Sequence, residues 1–324
     1  MKTKVKLYAL LSAVALLASC DHTDTDLNST LNSDVRFEIS IEDAELFDAR
    51  PRVQTAATPD TAGKLVSQFQ IGDELGLFAV RHAPGSTGML QPSNNYWHNV
   101  KLSARSNGAG GGSWVPDGSL FYPPGGDVLD IYAYYPYYAS FNNPTDIRFL
   151  VEQNQSTSAD YSKSDLLLAQ IANKANDGTP ISFVFSHAMA MVQVQLLDPS
   201  GILNIPNGVT LSARLGTNYP ASPLPKRAAT VNWATMGLGT ADTQSDIKMF
   251  PVGNFTYRAL LPAQELATAT RLVFAKSDVT EEASFATTAN ITLVQGKYTK
   301  FEITVDATSP DFGGGLEDIT PINP

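Results

Sequence analysis

The chain reads as an all-β protein, and three features of its 324 residues carry that reading. Apolar residues come in short runs that alternate with polar ones, the period-two signature of half-buried strands. The 23 Gly and 20 Pro punctuate those runs with turns, and the 12 Tyr and 15 Phe supply the side chains that strands bury well. A composition of 43% hydrophobic and 17% charged residues is enough for two domains with real cores and excludes disorder as the dominant state. Lys plus Arg number 22 against 32 Asp plus Glu, a net charge of −10, so no nucleic-acid partner is expected.

The first element is a leader, residues 1–20. Lys2, Lys4 and Lys6 precede an apolar stretch from Leu7 to Leu17, too short to span a bilayer core of about 30 Å. It ends in Leu17-Ala18-Ser19-Cys20, which resembles a bacterial lipobox with Cys20 as the acylated first residue of the mature chain. Cys20 is the single cysteine, so a disulfide framework and a Cys-rich zinc site are both excluded. Several acyl chains, as in bacterial lipoproteins, would anchor the acidic body firmly to a membrane.

Residues 21–34 lack apolar periodicity and read as a tether. Asp24, Asp26 and Asn28 have the first spacings of a calcium loop, but Ser29 stands where the turn needs Gly and Val35 where a bidentate Glu belongs. Acidic residues behind a lipidated cysteine also resemble a surface-export signal. The first strand follows: Val35, Phe37, Ile39 and Ile41 alternate with Arg36, Glu38, Ser40 and Glu42. Residues 48–63 are polar and rich in breakers, with Arg50, Pro51, Arg52 and Pro59. Strand patterns recur at 75–80, 96–102, 128–135 and 147–151; residues 107–113 (NGAGGGS) read as a hairpin loop rather than a phosphate cradle, lacking the full glycine motif and a following Lys-Ser/Thr. Residues 161–169 fit either a short helix or a strand. The small, polar stretch 171–180 is read as the domain boundary, placed at 175/176. A second series of strands is expected at 181–197, 208–214, 228–233, 255–261, 271–275, 290–294 and 298–305, and 306–324 as a loosely attached or disordered tail. The domains expected are thus 21–52 tether and prosegment, 53–175 and 176–305 one β-sandwich each, and the tail.

Phe69 to Phe78 (FQIGDELGLF), Asp130 to Pro136 (DIYAYYP), Asp165 to Ala169 (DLLLA), Phe185 to Met189 (FSHAM), Ala259 to Gln264 (ALLPAQ) and Ile291 to Tyr298 (ITLVQGKY) stand in this order behind the lipobox. The set resembles the Bacteroidales fimbrillin family, the Mfa-like pilins of type V pili. The resemblance implies two tandem transthyretin-like β-sandwich domains with Greek-key connections, export as an outer-membrane lipoprotein to the cell surface, and cleavage of a prosegment by an Arg-specific protease. It further implies polymerisation with other pilin subunits by donor-strand exchange. Under it, Arg52-Val53 is the bond expected to be cut, because the alternative Arg50 precedes proline. Cleavage would remove the strand at 35–42. The donor is expected within 298–319, either in the last strand (Phe301, Ile303, Val305) or in the tail, whose apolar residues include Phe312, Leu316 and Ile319.

No chemistry competes with this reading. The histidines at 22, 82, 98 and 187 form no metal motif, no G-x-S-x-G is present, and His187, in an apolar strand pattern, reads as structural. No enzyme activity, metal or cofactor is expected. Tyr132, Tyr134, Tyr135, Tyr137 and Tyr138 could stack on sugar rings, which supports an alternative: a surface-anchored tip adhesin or glycan-binding lipoprotein with a host protein or glycan as ligand, which does not polymerise. Asp60-Thr61-Ala62 resembles an O-glycosylation sequon, with Thr61 the acceptor.

Overall fold

The computed structural model describes residues 35–42, 69–106, 112–197, 205, 207–217, 222–277, 282–304 and 317–319. The first half contains β1 (Phe37–Ile41), β2 (Glu74–His82), β3 (Trp97–Ser106), β4 (Gly112–Pro116), β5 (Val128–Tyr135), β6 (Arg148–Leu150), α1 (Ser158–Lys163), β7 (Leu167–Lys174) and β8 (Ile181–His187). All of these strands except β6 form one sheet in the order β1-β8-β7-β5-β2-β3-β4. Only the β1–β8 pair is parallel. The sheet curls until its edges β1 and β4 approach each other, around a core that includes Leu75, Leu77, Trp97, Ile131, Ile181 and Phe183.

β5 lies at the middle and is buried along its whole length. Leu129, Ile131, Ala133 and Tyr135 face the first core, while Tyr132 and Tyr134 face a second. The segment that fitted helix or strand resolves into both. Thr157 caps α1 by accepting a hydrogen bond from the Asp160 amide (3.1 Å), and β7 begins four residues after the helix ends.

The second half contains β9 (Ala190–Leu197), β10 (Leu211–Leu215), β11 (Lys226–Asn232), β12 (Gly237–Leu238), β13 (Asp242–Gln244), β14 (Ile247–Lys248), β15 (Phe250–Gly253), β16 (Thr256–Leu261), β17 (Gln264–Leu266), β18 (Arg271–Lys276), β19 (Glu282–Thr287), β20 (Ile291–Leu293), β21 (Tyr298–Thr304) and β22 (Glu317–Ile319). They form sheets β15-β16-β9-β21 and β14-β10-β18-β19-β22, a smaller sheet around β11 that β6 joins, and the pair β17-β20. The second core lies among them and also takes Phe78, Tyr132 and Tyr134 from the back of the first sheet; the Tyr132 ring meets Trp233 edge-on at 5.4 Å.

Two of the expected segment limits can be placed on the sheets. The break at 175/176 falls in the hairpin between β7 and β8, inside the first sheet, because a small, polar, turn-rich stretch serves a hairpin as well as a linker. The change of sheet comes at residues 188–189, and β6 pairs across to β11. The tail, expected to hang loosely, returns a strand to a sheet edge where it is described: β22 runs parallel to β19, with Ile319 opposite Thr287.

Candidate functional site

The site is the edge of the first sheet, where β1 lies on β8. β8 alternates Ile181, Phe183 and Phe185, all buried in the first core, with Ser182, Val184 and Ser186, which face outward. Phe37 stands opposite Ile181 and Ile41 opposite Phe185. The ladder is closed at both ends, where the Ile181 amide donates to the Arg36 carbonyl and the Glu42 amide to the Phe185 carbonyl, each at 2.7 Å. Val35, Phe37, Ile39 and Ile41 pack half-buried on the first core, as the alternation predicts. On its other side β8 pairs with β7 only through His187 and Ser186. Most of the β8 ladder therefore depends on β1.

The outward faces of the two strands also bond. Ser182 Oγ donates to Glu38 Oε2 (3.0 Å) and Ser186 Oγ to Glu42 Oε2 (2.6 Å), while Arg36 Nη2 donates to the Gly178 carbonyl (2.8 Å) in the turn before β8. That turn is held by Lys174 Nζ, which donates to Asp177 Oδ1 (2.7 Å) and Thr179 Oγ1 (2.6 Å). The Lys174 ammonium and the Thr179 donors keep the Asp177 carboxyl far below the usual carboxylate range. At the far end Phe69 meets the rings of Trp114, Tyr135 and Phe185 edge-on at 5.2, 5.5 and 5.4 Å. Glu42 and Phe69, the two ends of segment 43–68, thus both sit against Phe185.

Of the residues singled out in the sequence, Cys20, Arg50, Arg52, Val53, Thr61, Val305, Phe312 and Leu316 lie outside the described residues. Phe301 and Ile303 are buried in β21, opposite Val194 and Leu196 of β9, so in this structure the last strand belongs to its own core. The sequence reading did not single out Ser182 and Ser186; the alternation of Ile181 to His187 (ISFVFSH) was the signal that placed them on the outer face.

Three residues of the tyrosine run belong to the cores. Tyr132, Tyr134 and Tyr135 are buried. The Tyr134 hydroxyl donates to Asn99 Oδ1 (2.5 Å) and the Tyr135 hydroxyl to Asp73 Oδ1 (3.1 Å). Burial pushes the Tyr134 phenol up and the Tyr138 phenol up to about 12. Tyr137 and Tyr138 are half-buried at the end of the run. His187 is also structural: its Nδ1 lies 2.8 Å from Asp165 Oδ1, so two of the ordered motifs, FSHAM and DLLLA, meet in one buried pair. A second buried pair, His82 with Asp130, joins β2 to β5 at 3.1 Å, and Asp130 also accepts from the Gly88 and Asn173 amides. Burial of the His82 ring disfavours its charged form, but the Ala83 carbonyl and the Asp130 carboxylate outweigh this and hold its pKa above the ordinary value.

Residues 55–320 match the sequence family described as fimbrillin-like. No curated protein matches the chain in sequence. Among solved structures, the fold is similar to two crystal structures that each carry the description "putative cell adhesion protein". The one from Bacteroides ovatus ATCC 8483 superposes with a TM-score of 0.58 at 18% identity, covering 90% of this chain and 97% of that one. The one from Bacteroides uniformis ATCC 8492 gives 0.57 at 18% identity, covering 85% and 93%.

Proposed function

We propose, from the premise that the chain belongs to the fimbrillin-like family, whose members are structural and adhesion proteins rather than enzymes, that it is a subunit of a cell-surface type V pilus supporting adhesion. On this reading it is exported as a lipoprotein acylated at Cys20, cut after Arg52 or else Arg50, and joined to other pilin subunits when a donor strand takes the place of β1. The observation that carries the proposal is the position of β1. It is an edge strand, half-buried, and joined to the rest of the protein only through segment 43–68, which contains both arginines. Its loss would open an apolar channel beside the unpaired edge of β8, a surface suited to strand addition. The tandem transthyretin-like assignment goes with this reading, as one curled sheet followed by a second set of layers.

One feature favours the alternative of a tip subunit that does not extend the fibre. Phe301 and Ile303 are committed to their own core, and β22 folds back onto β19. Mass spectrometry of the termini of the surface-exposed form decides between the two. A polymerising subunit should begin at Val53 in fibres, with an acylated Cys20 on the released fragment or precursor. A chain still beginning at Cys20 on assembled fibres would overturn the cleavage and the exchange together.

A further inference from the structure

The proposed exchange leaves open how the β8 edge recognises the strand it receives, and the outer face of β1 addresses that. Apolar alternation alone cannot set the register. A strand shifted by two residues still presents its apolar side chains to the core. The polar face does distinguish the two registers. Along β8 it reads Ser182, Val184, Ser186, and β1 answers with Glu38, Ser40 and Glu42, with a glutamate at each serine and none over the valine. A shift by two would set a glutamate beside exposed Val184 and break at least one serine bond. Arg36, two residues before Glu38, adds a contact to the Gly178 carbonyl.

This chain carries the same pattern twice. Arg36-Phe37-Glu38-Ile39-Ser40-Ile41-Glu42 is matched by Lys300-Phe301-Glu302-Ile303-Thr304-Val305-Asp306 in charge, apolarity and hydroxyl at every position. Both copies run parallel to their neighbours, β1 to β8 and β21 to β9. Among the described residues of the second copy, Lys300 bonds to Glu302 within the strand, and Gln193 of β9, opposite Lys300, accepts from Arg258 Nε (2.8 Å).

We infer that the β8 edge selects its strand by a polar code read by Ser182, Ser186 and the Gly178 carbonyl, and that the partner which replaces β1 is a subunit strand of that chemistry: a base, then an acidic residue two positions on and another four beyond it, between alternating apolar residues, bound parallel to β8. The inference rests on the exchange reading. It also separates the two C-terminal donor candidates, because residues 312–319 (FGGGLEDI) do not carry the code.

The test uses the full chain with a protease site introduced within 43–68 and cut, leaving β1 seated but displaceable. A labelled peptide of residues 35–42 is bound, and unlabelled peptides compete. Peptide 299–306 should compete within about tenfold of 35–42, and peptide 312–319 at least tenfold less well than 299–306. Two hydrogen bonds to carboxylates at a solvent-exposed edge are worth about tenfold together. The S182A/S186A double variant should therefore bind 35–42 about tenfold more weakly, and a 35–42 peptide with Glu38→Ala and Glu42→Ala should lose no further affinity on that variant. Both serines face outward, so an unchanged thermal midpoint will verify folding. Unchanged affinity in the double variant, or equal competition by 312–319, overturns the code while leaving the exchange standing. Failure of 35–42 itself to bind overturns both.

Discussion

The docking of β1 can be weighed by removing one of its inward side chains. Ile39 lies in the middle of the strand, opposite Phe183, and is half-buried against the first core. A fully buried Ile→Ala change costs about 2–5 kcal/mol, so Ile39→Ala should weaken β1 docking by about 1–2 kcal/mol. Because β1 is an edge strand joined through segment 43–68, the loss should appear first as local detachment rather than global unfolding. The Glu42 amide, bonded to the Phe185 carbonyl, and the Ile181 amide, bonded to the Arg36 carbonyl, report that detachment directly. Native-state hydrogen exchange read by mass spectrometry should show residues 35–42 and 181–186 exchanging about 5- to 30-fold faster, since 1.4 kcal/mol is a factor of ten. Ser40→Ala, on the exposed face, should change exchange by less than about 0.5 kcal/mol. Equal effects of the two substitutions, or faster exchange spread across the C-terminal sheets, would refute both the inward register and the independence of β1.

Two further predictions concern the scaffold behind the groove. A Cβ at Gly76 would lie 2.2 Å from Tyr134 Cε1, so Gly76→Ala should destabilise by about 1–3 kcal/mol in urea titrations, and a smaller residue at 134 should recover part of the loss. Since the His82 pKa is raised, its ring stays charged to higher pH in the fold than in the unfolded chain, where it titrates near 6.5. The stabilisation is fully present below that value and fades as pH climbs through the raised folded pKa; thermal midpoints of His82→Gln should lack that slope.

β1 was legible as clean alternation, and β2 and β5, buried on both faces, fall on the apolar stretches that predicted them. What the sequence concealed was pairing over long separations and strands with no pattern of their own. β13 is Asp242-Thr243-Gln244, exposed throughout, and is a strand because β11 pairs with it and Arg148 grips the Asp242 carboxylate from β6. The parallel partner of β1 lies 144 residues away along the chain, a distance over which periodicity carries no information. One missed signal was present. The apolar run 181–197 changes parity: Ile181, Phe183 and Phe185 are buried at odd positions, then Val192, Val194 and Leu196 at even ones. A change of phase marks a change of sheet, and it falls at Ala188 and Met189.

That change of phase also gives the proposed assembly a direction. β8 and β9 are consecutive, and β1 and β21 run parallel to them in turn, each in the sense of the chain from 181 to 197. A strand replacing β1 in the same polarity begins beside Ile181, whereas β21 of this subunit leaves beside Leu197. The receiving end and the leaving end are therefore unlike surfaces at opposite ends of one chain segment. Contacts between unlike surfaces are heterologous; when the rotation between subunits does not close a ring, they propagate as an open filament rather than a two-fold dimer. The polarity of β1 thus matters as much as its apolar face. A donor accepted antiparallel to β8 would not set its acidic residues on Ser182 and Ser186 while its base reached Gly178, so directional growth and the polar register would be lost together.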